Sequence, residues 1–353
     1  MQGKLIELPH TVCRYTCTIN GIMDVYQWQT GQRLPSEFMM ITSGMADFIY
    51  LKHKRARPPF MVFWGQGLKQ QYENLERIFE LKIEIKEGRS FNFALGLVKE
   101  EIDEGNPVVI GPLDMFYLEY RPEFFQRVHA FPHFALAVGY NDLERGIFLH
   151  DCDLPGVQPL SYESLRLAWQ RDEPGYIKRN AVITFSVPGK PLPFKDLVKR
   201  GLLLKAEQML NPPVRSWGLP GMRKLAQEFS KWGEFLSEED YRSALENLAM
   251  YANTPPTLAP EIDNFTGRRK EFSGLLRELA VLTGIKELED IAKGFAASGE
   301  LISRISHIIL DWLKGEKDSR AEIPELLLEV ADIEQEGYLR IKGILKEDSD
   351  VLP

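Results

Sequence analysis

Two hydrophobic textures divide the chain. Up to about residue 190, short apolar runs stand between stretches of helical spacing; beyond it, apolar residues recur at three and four almost throughout. Ile19, Ile22, Met23 and Tyr26 predict a helix that begins near Cys17 and stops at Gly31. "PSEFMMITSG" predicts a short helix capped by Ser36 and ended by Gly44. "QQYENLERIFELK" and "FNFALGLVKEEIDEG" predict two more. Strands are expected at "ADFIYLKH", "FMVFWG", "PVVIGPL", "HFALAVGYN", "GIFLHDCD" and "YIKRNAVITFSVPG", with "GYNDLERG" as a hairpin loop.

The proline- and glycine-rich stretch Val187 to Asp196 reads as a boundary. After it come six amphipathic helical patterns, from "FKDLVKRGLLLKAEQML" to "AEIPELLLEVADIEQEGYLRIKGIL". Trp217 and Trp232, in this half, are expected in its core. The expected fold is α+β: residues 1–190 around an antiparallel sheet, then residues 191–353 as an all-α helical domain. With 353 residues, two cores are the natural expectation.

Composition narrows the function. The net charge is -8, and the densest basic cluster is "KHKR" at Lys52 to Arg55, so no nucleic-acid footprint exists. No run approaches the roughly 20 apolar residues of a membrane span. The first residues lack the apolar core of a signal peptide. Three cysteines, Cys13, Cys17 and Cys152, make no disulfide framework, and a reducing cytoplasm is expected.

Phosphate-loop, dinucleotide-fingerprint, nucleophile-elbow and H-E-x-x-H motifs are all missing, and no C-x-x-C pair suggests zinc. No cofactor or metal is expected. What remains is cysteine chemistry. A thiol becomes a nucleophile when ionised, either by the positive end of a helix or by a nearby imidazole. Cys17, at a helix start, meets the first condition, and a backbone N–H of the same turn can help hold an oxyanion. Cys13, four residues earlier, is the competitor. His133 opens an apolar strand, and Asp151 ends the strand that returns beside it. An antiparallel hairpin therefore brings the two together, and a carboxylate beside a histidine orients its ring. His129 and Asp153 are the alternatives for these two positions. His150, next to Asp151, should face the other side of the strand. Asp114, Tyr117 and Tyr120 in "GPLDMFYLEY" follow a buried strand and are candidates for a substrate pocket.

The N-terminal half resembles the butirosin biosynthesis protein H family, itself related to papain-like and bacteriocin-leader cysteine peptidases. The resemblance lies in "TCTINGIMDVYQWQTG…LPSEFMMITSG", in "GNPVVIGPLDMFYLEY" and in "HFALAVGYND…GIFLHD". The C-terminal half resembles that family's helical partner domain, most visibly in "TGRRKEFSGLLRELAVLTG". The resemblance implies a papain-like N-terminal domain and an acyltransferase. An acyl group on the phosphopantetheine of a carrier protein would pass to Cys17 and then to an amine of a small molecule. His133 would act as base and then acid, and Asp151 as orienter. Two positions depart from the family: Thr16 stands where a histidine often precedes the cysteine, and Thr11 where a papain-like enzyme has glutamine.

Three functions follow from these residues. One is the acyltransferase of secondary metabolism, with an acidic carrier protein docking on "KHKRARPP" (Lys52 to Pro59). The second is a cysteine hydrolase, an amidase or peptidase on the same triad. The third is an inactive binding protein of the same fold. A homodimer is an expectation from the long helical half.

Overall fold

A computed structural model of the chain describes residues 3–13, 16–250 and 265–347. It is an α+β protein, with an antiparallel sheet in the N-terminal part and a helical C-terminal region. Two compact units are present. The first comprises the chain up to Met40 and Gly67–Pro193; the second comprises Ile41–Gln66 and the chain from Phe194 onward.

The first unit is built on seven strands. They are β1 (Gly3–Leu5), β4 (Lys82–Lys86), β5 (Val108–Leu113), β6 (His133–Asn141), β7 (Gly146–His150), β8 (Val157–Ser161) and β9 (Ala181–Ser186). Their order is β4-β9-β5-β6-β7-β8, and every pairing is antiparallel. β1 extends β5 along the same flank of β6, pairing Leu5 with Gly139. Ala94, Val98 and Ile102 of the helix Phe91–Glu104 pack onto Val108, Ile110, Ala135 and Ala137 in one buried cluster. Ser90 caps that helix by accepting from the Phe93 N–H at 3.3 Å.

Helix α1 (Asn20–Thr30) approaches β6 closely, because Gly21 has no side chain. A Cβ there would lie 2.7 Å from the Leu136 Cβ. The helix ends at Gly31, whose φ of 68° is the left-handed geometry glycine adopts without cost. Ahead of it the chain makes a tight turn: the Thr16 carbonyl accepts from both Ile19 and Asn20 N–H, each at 2.8 Å. Cys17 lies in that turn, immediately before the regular helix.

Elsewhere the elements differ in detail from the sequence pattern. Ser36 does not cap a helix; the Pro35 carbonyl accepts from Phe38 N–H first, and the helical residues are Phe38–Met40. A wider turn then runs over Ile41–Met45, where Gly44 has a φ of 111°. The helix expected through Lys82 stops at Phe79, with Glu80 left-handed at φ 59°. "KIEIK" alternates instead and forms β4, hydrogen-bonded to β9. β8 and the helix Tyr162–Ala168 carry weaker patterns and were not expected.

In the second unit, a hairpin of β2 (Ile49–Lys52) and β3 (Phe60–Phe63) joins the helices, although it precedes most of the sheet in sequence. Tyr50 N–H donates to the Ser216 carbonyl at 2.8 Å, and Trp232 Nε1 donates to the Tyr50 hydroxyl at 3.0 Å. Trp64 Nε1 donates to the Leu248 carbonyl at 3.1 Å. Trp232 is fully buried. No helix among the described residues is long and apolar enough to cross a membrane.

Candidate active site

The β6–β7 hairpin sets the geometry. His150 pairs with Leu136, so the chain leaves β7 beside the start of β6. His133 opens β6 opposite Leu113, and Asp151 follows directly on β7. His133 Nε2 lies 2.9 Å from each Asp151 oxygen. Both side chains are buried. The Cys17 thiol hydrogen-bonds the His133 ring. Since Nε2 is committed to the carboxylate, Nδ1 is the nitrogen left for sulfur. Thus the turn leading into α1 supplies the thiol, β6 the imidazole and the residue after β7 the carboxylate.

Asp151 has two further partners. The Tyr120 hydroxyl donates to Oδ2 at 2.9 Å, and Arg121 donates to Oδ1 from Nη2 at 2.8 Å and to Oδ2 from Nε at 3.3 Å. Arg121 also pairs with Asp153, and reaches Glu123 at 3.3 Å. This buried arginine was not singled out from the sequence. Its position directly after "GPLDMFYLEY", in front of a proline, was the available signal. Tyr120, a candidate for the substrate pocket, touches the carboxylate of Asp151. Asp114 accepts from Phe116 N–H at 3.1 Å and pairs with His129 Nδ1 at 2.7 Å, closing a local turn. Tyr117 packs edge-on against Phe116 and His129. His129 therefore has Asp114 as its carboxylate partner, while Asp151 belongs to His133.

Electrostatics follow from this packing. Burial opposes a charge on His133, but the adjacent Asp151 carboxylate and its hydrogen bonds win, and the pKa is pushed up to about 10. Burial likewise opposes the charge of Asp151, yet His133 and Arg121 hold its carboxyl well below the usual range. The site thus favours an imidazolium beside a carboxylate at neutral pH. Burial pushes the Cys152 thiol far up, and the nearby Cys17 and Asp151 add to it, so Cys152 stays protonated. Cys13 is buried and its thiol donates to the Ser36 carbonyl at 3.6 Å.

Around Cys17 lie two phenols, Tyr72 and Tyr176, both raised mainly by burial and additionally by the cysteine. The Tyr72 hydroxyl donates to the Thr18 carbonyl at 3.0 Å, which braces the turn. Tyr176 also lines a cavity of about 420 Å³ between Gly67–Gln70 and the loop Asp172–Lys178.

Among the described residues, two clusters bring three metal-type ligands within reach of one another: His10, Asp24 and His150, and Asp151, Cys152 and Asp153. In the first, both His10 ring nitrogens already have partners, Asp24 on one side and the Asp151 and Leu154 carbonyls on the other. In the second, the Arg121 guanidinium already occupies the carboxylates. Of the basic stretch Lys52 to Pro59, Lys52 pairs with Glu228 at 3.1 Å, while Lys54 and Arg55 are exposed on the hairpin turn.

Comparison with known families agrees with this layout. Residues 16–152 match the model of butirosin biosynthesis protein H, N-terminal. Residues 163–255 match a domain of unknown function, DUF4872. No curated protein matches the chain. The first match runs from the residue before Cys17 to the residue after Asp151, and the second begins just beyond β8. The N-terminal part of the chain thus carries a butirosin biosynthesis protein H-like domain, with the DUF4872 domain C-terminal to it.

Proposed function

We propose that this protein is a cysteine-dependent acyltransferase that moves an acyl group from a thioester to an amine of a small molecule. The observation that carries the proposal is the chain of contacts from Cys17 through His133 to Asp151, at the mouth of a helix. A cysteine at the start of a helix, facing a histidine and an acid at one end of an antiparallel sheet, is the layout of papain-like enzymes. The family name, taken from a biosynthetic protein, favours an enzyme of secondary metabolism.

In the first half-reaction the Cys17 thiolate attacks the thioester carbonyl. The sulfur–carbon bond to Cys17 forms, the donor's carbon–sulfur bond breaks, and the His133 imidazolium gives its proton to the departing thiolate. Backbone N–H groups of the turn at Cys17 are the candidate donors to the developing oxyanion. In the second half-reaction an amine attacks the acyl-enzyme, neutral His133 takes the amine proton, and the Cys17 thiolate leaves. Asp151 keeps the ring oriented and stabilises its cation throughout. Arg121 and Tyr120 hold Asp151 in place. The donor is a carrier-protein phosphopantetheine thioester, and the exposed basic residues Lys54 and Arg55 are the docking candidates.

A hydrolase would run the same first step and let water replace the amine. The discriminating experiment gives the full chain a simple acyl thioester, with and without added amines. Amide that grows at the expense of free acid as amine is added supports transfer. Free acid alone, unaffected by amines, assigns hydrolysis.

A further inference from the structure

Behind the triad lies a second histidine with an unusual set of partners. His10 is half-buried as a residue, but its side chain is only 5% exposed. Its Nδ1 lies 2.7 Å from Oδ2 of Asp24, in the second turn of α1. Its Nε2 lies 2.9 Å from the Asp151 carbonyl and 3.0 Å from the Leu154 carbonyl. Carbonyls only accept, so Nε2 carries a proton. The other oxygen of Asp24 accepts from Thr11 N–H at 3.1 Å, as an ionised carboxylate does. Burial raises the Asp24 pKa, while His10 and the Thr11 N–H favour its ionised form; with Asp24 ionised, both ring nitrogens donate and His10 is a buried cation.

His10 therefore joins two parts of the site from behind. One is the helix that Cys17 leads into; the other is the backbone of Asp151. We propose that His10 is a positioning residue: as an imidazolium it clamps α1 to the end of β7 and so holds the Cys17 thiol in register with His133 and Asp151. The proposal rests on the triad described above. Position 10 lies ahead of the segment that the family model matches.

Three further observations support it. Beside His10, Cys13 N–H donates to the Cys152 carbonyl at 2.7 Å, a second tie between the same two segments. The His150 ring stacks on His10 at 4.5 Å and 26°, and its buried Nδ1 has no hydrogen-bond partner. Burial and the His10 charge push His150 down to about 4, so it presents a neutral ring face to a cation. The groups facing His10 are thus one carboxylate, two carbonyls and one neutral imidazole. Burial disfavours the His10 cation, but Asp24 and the two carbonyls outweigh it and its pKa is raised. The clamp is accordingly closed below that raised value and released as pH rises through it. A cavity of about 530 Å³, lined by Leu5 to His10, His150, Gly156 and Val157, opens this region to small solutes.

The test reads Cys17 itself. Iodoacetamide alkylation is followed by peptide mapping in the full chain, for the wild type, His10→Ala, His10→Gln and Asp24→Asn. A misplaced reacting group costs up to about a hundredfold, so His10→Ala is expected to slow Cys17 alkylation at neutral pH by about tenfold or more. Added imidazole enters the vacated cavity and restores the rate, better at about pH 6 than at about pH 8, because the cation is needed. His10→Gln, which keeps a donor but no charge, falls between. Asp24→Asn slows alkylation without opening a cavity, and imidazole does not restore it. An unchanged rate in His10→Ala, or a rescue that does not depend on pH, overturns the clamp. A wild-type Cys17 no faster than a free thiol at neutral pH overturns the triad instead, and the two failures are told apart by that control.

Discussion

Each unit of this protein buries a cluster of charges, and the two clusters are built to different rules. In the second unit, Lys205 meets Asp47, and Arg269 meets Glu334 through Nε at 2.7 Å and Nη2 at 3.0 Å. All four side chains are at most 1% exposed. Neutral groups close the cluster: Gln66 donates to Asp47 at 2.9 Å, Ser298 to Glu334 at 2.5 Å, and Arg269 to the Gly267 carbonyl at 2.6 Å. The Trp64 ring lies over the guanidinium. Every charge there answers another fixed charge. In the first unit, Arg121, Asp151 and His133 are also buried, but the last link is a thiol on a turn. Desolvation acts on both clusters with different results. Lys205 is lowered by burial despite Asp47, whereas His133 is raised because Asp151 outweighs burial. A closed cluster specifies a fold, and an open one ending in a titratable nucleophile can do chemistry.

Three substitutions sharpen that contrast, in falling order of effect. Asp151→Asn should lower turnover about a thousandfold, because the amide no longer stabilises the imidazolium. Steady-state kinetics on a thioester substrate measures it, and a loss below about tenfold would remove Asp151 from the machinery. Glu334→Gln should cost about 3–5 kcal/mol of folding stability by leaving Arg269 uncompensated, with little change in Cys17 alkylation of the folded protein. Denaturant titration reads this, and the double change Arg269→Met with Glu334→Leu should cost less than Glu334→Gln alone.

The third concerns pH. His133 titrates at about 10 in the folded protein against about 6.5 unfolded, so its cation stabilises the fold fully below about 6.5. That contribution is lost as pH rises through about 10. The stability gap between wild type and His133→Gln should therefore shrink across this interval. Urea midpoints at several pH values test it, and a gap that widens with pH would contradict the ion pair.

Much of this was legible in sequence because local rules and topology agreed. "HFALAVGYN" forms β6 over His133–Asn141 as read, since its apolar run is bounded by a clear turn. The same turn made the proximity of His133 and Asp151 deducible from antiparallel pairing alone. The helical pattern ran on through Lys82 and "IEIK" was left without an element, because one left-handed residue, Glu80, decides where that helix stops. The grouping of Ile41–Gln66 with the helical unit was not legible, since it depends on long-range pairs such as Tyr50 with Ser216 and Trp232. Arg121 was hidden for a similar reason. Its partners Asp151 and Asp153 are about thirty residues away, and a lone arginine beside a proline has no periodic signature. His10 and Asp24 share no motif either; they meet only because α1 folds back on the strap that precedes it.

The most direct measurement is the mass of the intact protein after brief exposure to an acyl thioester, with peptide mapping of the adduct. The account predicts one acyl group, on Cys17, formed at neutral pH, discharged by an added amine and lost in Cys17→Ala with Cys13 and Cys152 intact. An adduct on Cys13 or Cys152, or none on wild-type protein under conditions where free thiols exchange, would contradict it.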